Sequence, residues 1–276
     1  MLRATFCHIP GIGCTTEVEL WSAGFHSWQA ALSPEGVNGA GMVKRSWLSH
    51  LRESVERYNN KDITYFAGKL PTSQHWRLFR DFRHCCAFVD IETTGLSPYT
   101  NDITTIVLYD GKTIRHYVNG ENLADFPDDI EDYRLLVSYN GKCFDVPFIE
   151  NYFGVRLRQA HIDLRHVLRG VGFAGGQKEC ERKLGIRRQE SAEIDGFMAI
   201  RLWHEYRRTN DRRFLETLLA YNVNDAVNLE AMMVTAFNLN VKHTPFTDLC
   251  LPAPVPRRSP FRADPAAVAR VVRDRW

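Results

Sequence analysis

Near its C-terminal end the chain reads LLAYNVNDAVNL, Leu218 to Leu229. At about 100° per residue, Phe214, Leu218, Tyr221, Leu229 and Met232 project close to the direction of Asp225, which places one carboxylate on an apolar helical stripe. An ionised carboxylate taken out of water needs a cation or several hydrogen-bond donors, or it takes up a proton. The helix has no Lys or Arg on that face. A fold that buries the stripe must therefore bring a partner to Asp225 from elsewhere in the chain. The alternative is a helix rotated enough to wet it.

The pattern upstream shows where partners could come from. From Cys85 the period turns strand-like: CCAFVDIET, then DITTIVLYDGKTIRHYV with a DG turn, then RLLVSYN, are β-branched and apolar. Helical segments follow, namely DVPFIENYFG, RQAHIDLRHVLR with a short strand in its HIDL portion, GQKECERKLGI, GFMAIRLWHEYRRT and 212–237. Before Cys85 the reading is an N-terminal module over 1–35, a turn-rich linker from Ser33 to Met42 and a basic helical connector over 36–83. The strand-bearing domain covers 84–240. The proline-rich tail, 241–276, ends in the helix candidate ADPAAVARVVRDRW and is expected to pack on the body or serve a partner.

Charge is segregated along this plan. Residues 41–84 carry nine basic and four acidic groups, 85–155 carry four and twelve, and 156–213 carry fourteen and eight. Ordinary solvated faces produce such runs, but so does an acidic metal centre facing a polyanion. The seven cysteines are an odd number without CxxC spacing, which argues against a disulfide framework or a structural zinc site and fits a reducing cytoplasm. No long apolar run or signal-peptide pattern indicates a membrane.

Three acidic motifs stand in order. Asp90 and Glu92 in FVDIETTGL are two apart on a strand, so both project from one face and can grip one ion; solvated acids at a strand edge are the bland alternative. In YNGKCFD, Asn140 and Asp145 flank a glycine turn where a helix begins, a place that favours a carboxylate; plain helix capping competes well as an explanation of Asn140 and less well of Asp145. Tyr221 and Asp225 are neighbours at i, i+4. Asp90, Glu92, Asp145 and Asp225 together offer hard oxygen ligands suited to Mg²⁺ or Mn²⁺. On this reading divalent cations neutralise Asp225.

DIETTG, Asn-x-x-x-Phe-Asp and Tyr-x-x-x-Asp resemble the three exonuclease motifs of the DEDD superfamily. The tyrosine variant is implied, since the histidine variant would place His where this chain has Ala220. The segments HIPGIG, TEVELWSAGFHSW, GGQKECERKLGI and YNVNDAVNL extend the resemblance to the YprB-like group of bacterial exonucleases. The resemblance implies an RNase H-like α/β fold, a twisted mixed sheet flanked by helices, with a small helix-hairpin-helix-like N-terminal module. It implies 3′ to 5′ exonuclease activity on DNA by two-metal-ion hydrolysis, with Asp90, Glu92, Asp145 and Asp225 as ligands, Tyr221 orienting water and a nucleoside 5′-monophosphate as product. A DNA-repair setting and a helicase partner come with it. The same centre would serve an RNA-trimming enzyme. An adaptor kept only for binding would show gaps among the acids, and there are none.

Nucleic-acid contacts are expected at Thr93, Thr94, Gly95 and Asn140, and at Gly11 and Gly13 of PGIG, where glycine amides at a helix start could meet a phosphate; a tight turn in a packing domain explains PGIG as well. Asp163 could support the metal site or be a satisfied strand-end acid. Trp47, Trp76 and Trp203 could stack on bases but suit buried packing better. Arg187, Arg188, Arg207, Arg208, Arg212 and Arg213 would suit strand guidance.

Overall fold

The computed structural model describes residues 1–38, 41–188, 196–255 and 257–273. Helices come first: α1 Cys14–Ser22, α2 Trp28–Leu32, α3 Pro34–Asn38, α4 Leu48–Asn59, α5 Ile63–Lys69 and α6 Trp76–Phe82. The strands are β1 Cys86–Thr93, β2 Ile103–Tyr109, β3 Ile114–Val118, β4 Leu135–Ser138 and β5 Ala160–Asp163. Between and after them run α7 Phe126–Glu131, α8 Asp145–Phe153, α9 Leu164–Arg169, α10 Gln177–Leu184, α11 Gly196–Thr209, α12 Arg212–Val241 and α13 Pro265–Arg273.

The strands form one mixed sheet in the order β3-β2-β1-β4-β5, antiparallel on the β2 side of β1 and parallel on the β4 side. Alternation along β1 sorts its side chains. Ala87, Val89 and Ile91 join Phe148 and Ile149 of α8 in one core, while Cys86 and Phe88 join Val223, Ala226 and Val227 of α12 in another. Helices thus cover both faces, as the resemblance implies. The core under α12 is continuous with the N-terminal helices, taking in Leu2, Phe6, Trp28, Trp47 and Phe66. A buried ion pair ties the two parts: Arg77 of α6 meets Glu17 of α1 at 2.7 Å, and Glu17 also accepts the backbone N–H groups of Phe6 and Cys7.

Two local readings change. The stretch read as a linker contains α3, started by Pro34 at a position where its missing N–H costs nothing; Gly36 lets α3 approach α2 so closely that a Cβ would stand 2.6 Å from the Ala30 carbonyl oxygen. Residues 39 and 40 of that stretch lie outside the described residues, as do Pro256 and 274–276 of the tail. PGIG does precede a helix, α1, with Gly13 as its N-cap, but the segment before it is a single 3₁₀ turn, Leu2–Ala4. The paired helices of a helix-hairpin-helix are therefore not formed. Leu2, Phe6 and Ile9 are buried in the core instead.

Trp47, Trp76 and Trp203 are all buried. The tail packs on the body, where α13 buries Ala267 and Val271 against the cluster formed by α11 and α12. Among the described residues, no helix is long and apolar enough to cross a membrane.

Candidate metal centre

Asp90 and Glu92 continue the face of β1 that carries Cys86 and Phe88, so they emerge beneath α12 at the end of the strand. The ladder supports them: Glu92 lies opposite Thr105 of β2, and a bulge between Glu92 and Thr93 ends the regular pairing. Asp225 comes down from α12. Carboxylate oxygens of Asp90, Glu92 and Asp225, all half-buried, lie within 4.8 Å of one another.

Asn222, which the sequence reading missed, holds the first of these acids in place. Its Nδ2 donates to Asp90 Oδ2 at 2.7 Å and to the Asp90 carbonyl at 3.2 Å, and its Oδ1 accepts from Thr105 Oγ1 at 2.8 Å. The side chain is 0% exposed. The available signal was an amide side chain directly beside Tyr221 and three residues before Asp225.

Asp145 is the first residue of α8 and is buried. It stands outside the tight triplet but adds to the negative field at both Asp90 and Glu92. The turn that delivers it is closely packed: a Cβ on Gly141 would fall 2.1 Å from Ser138 Oγ and 3.3 Å from Asp145 Oδ2. Asn140 adopts a left-handed backbone (φ 63°) and its Oδ1 accepts from Arg165 Nη1 at 2.6 Å, so it does not cap α8. Asp163 fixes this turn by accepting backbone N–H groups of Asn140, Lys142 and Arg165 at 2.8–3.2 Å, the behaviour of a satisfied strand-end acid.

The remaining expected residues are placed as follows. Tyr221 is buried one turn before Asp225 on α12. Thr93 Oγ1 donates to the Gly95 carbonyl at 2.6 Å, and Thr94 Oγ1 accepts from the Asp102 N–H at 2.9 Å, so both hydroxyls shape the loop after β1. Gly95 packs against Asn101, whose side chain a Cβ would meet at 2.6 Å. Gly11 and Gly13 belong to the turn before α1 and are not part of the acid cluster.

The electrostatics of the cluster follow from its crowding. Burial, then repulsion from Asp225, Asp145 and Glu92, pushes the Asp90 carboxyl well above the carboxylate range, against the Asn222 hydrogen bond. Burial and then Asp225 raise Glu92 to about 8, with Lys178 opposing. Burial raises Asp145 to about 7, with Asp163 adding and backbone N–H groups of Asp145 and Ile91 opposing. Mutually repelling oxygen donors of this kind fit a small hard divalent cation.

The reading that Asp225 depends wholly on such a cation needs correction. Arg188 Nη2 is ion-paired with Asp225 Oδ1, and Arg188 Nε donates to Glu181 Oε2 at 2.6 Å. The chain supplies its own counter-cation, from 37 positions earlier and not from the helix. Of the other arginines read as strand guides, Arg208 pairs with Glu205, Arg212 with Glu121 and Arg213 with Asp211, while Arg207 lies over the Trp203 ring at 5.7 Å.

This domain defines the class: residues 87–237, more than half of the chain, match the RNase H superfamily, and the chain belongs to it. Among solved structures it is similar to the family B DNA polymerase of the hyperthermophilic archaeon Pyrobaculum calidifontis, at 14% identity and TM-score 0.42 over 60% of this chain and only 26% of the polymerase. It is similar too to NrnC of Brucella melitensis, at 15% identity and TM-score 0.42 over 62% of this chain and 81% of that one, and to the same protein bound to pGG, at 16% identity and TM-score 0.38 over 69% and 81%. No curated protein matches the chain.

Proposed function

We propose that the protein is a divalent-metal-dependent 3′ to 5′ exonuclease of the tyrosine-bearing DEDD type, acting by preference on DNA. The observation that carries this reading is the convergence of Asp90, Glu92 and Asp225 to within 4.8 Å inside a domain of the RNase H superfamily. Asp145 completes the set from α8. These four acids would hold two ions, Mg²⁺ or Mn²⁺, which when bound supply an acidified attacking water and stabilise the leaving 3′ oxygen.

The rest is done by the chain. Asn222 fixes the Asp90 carboxylate, bonded in turn to Thr105, so that one ligand is oriented before any ion arrives. The Tyr221 hydroxyl orients the attacking water as a hydrogen-bonding group and not as a base. The loop of Thr93, Thr94 and Gly95, together with Asn140, takes the 3′ end, and the turn at Gly11 and Gly13 contacts backbone phosphate further along the strand. DNA repair beside a helicase is the setting we assign, on the resemblance of the YNVNDAVNL and GGQKECERKLGI segments.

End-labelled DNA and RNA strands incubated with Mg²⁺, Mn²⁺ or chelator, beside Asp225→Asn, test this reading. Shortening from the 3′ end is expected, abolished by chelator and reduced about 10³-fold or more in the variant. Digestion from the 5′ end, or activity that survives both chelator and Asp225→Asn, would overturn it. Faster loss of RNA than of DNA would make this an RNA-trimming enzyme.

A further inference from the structure

The helix α10 and the turn after it aim a braced guanidinium at the acid cluster. Glu181, 1% exposed, takes Arg188 Nε on Oε2 and Gln177 Nε2 on Oε1 at 3.0 Å. Gln177 Nε2 also donates to the Asp225 carbonyl at 2.9 Å, which pins the start of α10 to α12. Arg188 Nη2 then reaches Asp225 Oδ1. A divalent cation bound by Asp225 and this guanidinium compete for one carboxylate and repel each other at that range. Glu181 anchors Arg188 through Nε alone, which leaves the Nη groups able to turn to another acceptor without breaking the anchor. A planar guanidinium suits phosphate oxygens in particular.

We propose that Arg188 is a displaceable counter-ion: it occupies Asp225 in the metal-free protein and, still anchored on Glu181, transfers to a phosphate of the nucleic-acid strand as the cation enters. Metal and strand then load together, each relieving a conflict the other would face alone. This rests on the reading of Asp90, Glu92 and Asp225 as metal ligands. It makes Arg188 a residue that couples the two binding events, with Glu181 and Gln177 as its positioning residues.

Calorimetric titration of Mn²⁺ into the full chain tests it, with and without a phosphorothioate-linked deoxyoligonucleotide that resists hydrolysis. Without the strand, Arg188→Gln should bind Mn²⁺ about 5- to 20-fold more tightly than wild type, the scale of a partly desolvated charge contact. Arg188→Lys, which keeps the charge, should stay within about twofold of wild type on the same grounds. The strand should tighten Mn²⁺ binding in wild type and do so less in Arg188→Gln. Equal or weaker Mn²⁺ binding by Arg188→Gln, or equal tightening of both proteins by the strand, overturns the proposal while leaving the metal site standing. Unchanged Mn²⁺ binding in Asp90→Asn with Asp225→Asn instead removes the metal site, and the proposal with it.

Discussion

A single carboxylate on an apolar helix face raised the question of what neutralises it, and the answer has two parts at the residue scale. The triplet of Asp90, Glu92 and Asp225 suits a divalent cation, and Arg188 serves Asp225 without one. The raised carboxyls give this a pH signature. Glu92 rises from 4.5 to about 8 and Asp145 from 3.8 to about 7, so between about pH 4 and 8 the folded chain holds more protons than the unfolded one. Their contribution to stability is therefore greatest at the acidic end and is lost as pH rises through that window. In chelator, thermal melts of wild type and Glu92→Gln should diverge from pH 5 to pH 8, with the variant gaining relative to wild type. A constant or shrinking gap contradicts the account. The burden on Asp225 was legible in sequence because it depends on helical period alone. Arg188 was read there only as one of the arginines suited to strand guidance, because its partnership with Asp225 is tertiary and no local spacing encodes it. Asn222 went unread for the same reason: its two partners, Asp90 and Thr105, lie on two different strands.

At the scale of elements, the parts with a strong period were the legible ones. The strand character of β1 and the DG turn between β2 and β3 could be read from residue type, and the short β5 was found inside a helical-looking segment. The N-terminal part was harder. Its helices are short and its order comes from contacts across the chain, chiefly the Arg77–Glu17 pair with side chains 4% and 1% exposed. Arg77 also donates to Thr5 Oγ1 at 3.2 Å and Gln74 Oε1 at 2.9 Å, so Glu17 is the anion of a closed buried network. Glu17→Ala leaves the guanidinium buried without its counter-charge and should cost about 3–5 kcal/mol. Denaturant unfolding followed by tryptophan fluorescence measures this, and a loss below about 1 kcal/mol would show the pair to be a surface-like contact. The same dependence on distant partners explains why PGIG was read as half of a two-helix motif. The residues before it are apolar, but they are consumed by packing against α2, α4 and α5 rather than by a helix of their own.

Across the whole molecule, the sheet and α12 solve a placement problem that the sequence could only pose. Asp90 and Glu92 sit at the end of a central strand, Asp145 opens a helix that packs on one face of the sheet, and Asp225 belongs to a 30-residue helix that packs on the other. Only a sheet flanked on both sides brings these origins to one edge, which is why the order of the three motifs carried fold and site together. The spacing could not say how closely each acid would approach, and Asp145 stands apart from the triplet. The account turns on divalent cations at this edge. Crystals soaked in Mn²⁺ and measured at its absorption edge should give anomalous density between the carboxylates of Asp90, Glu92 and Asp225, with Arg188 moved off Asp225. Clear maps with no anomalous peak within bonding distance of those oxygens, about 2.0–2.6 Å, would contradict it.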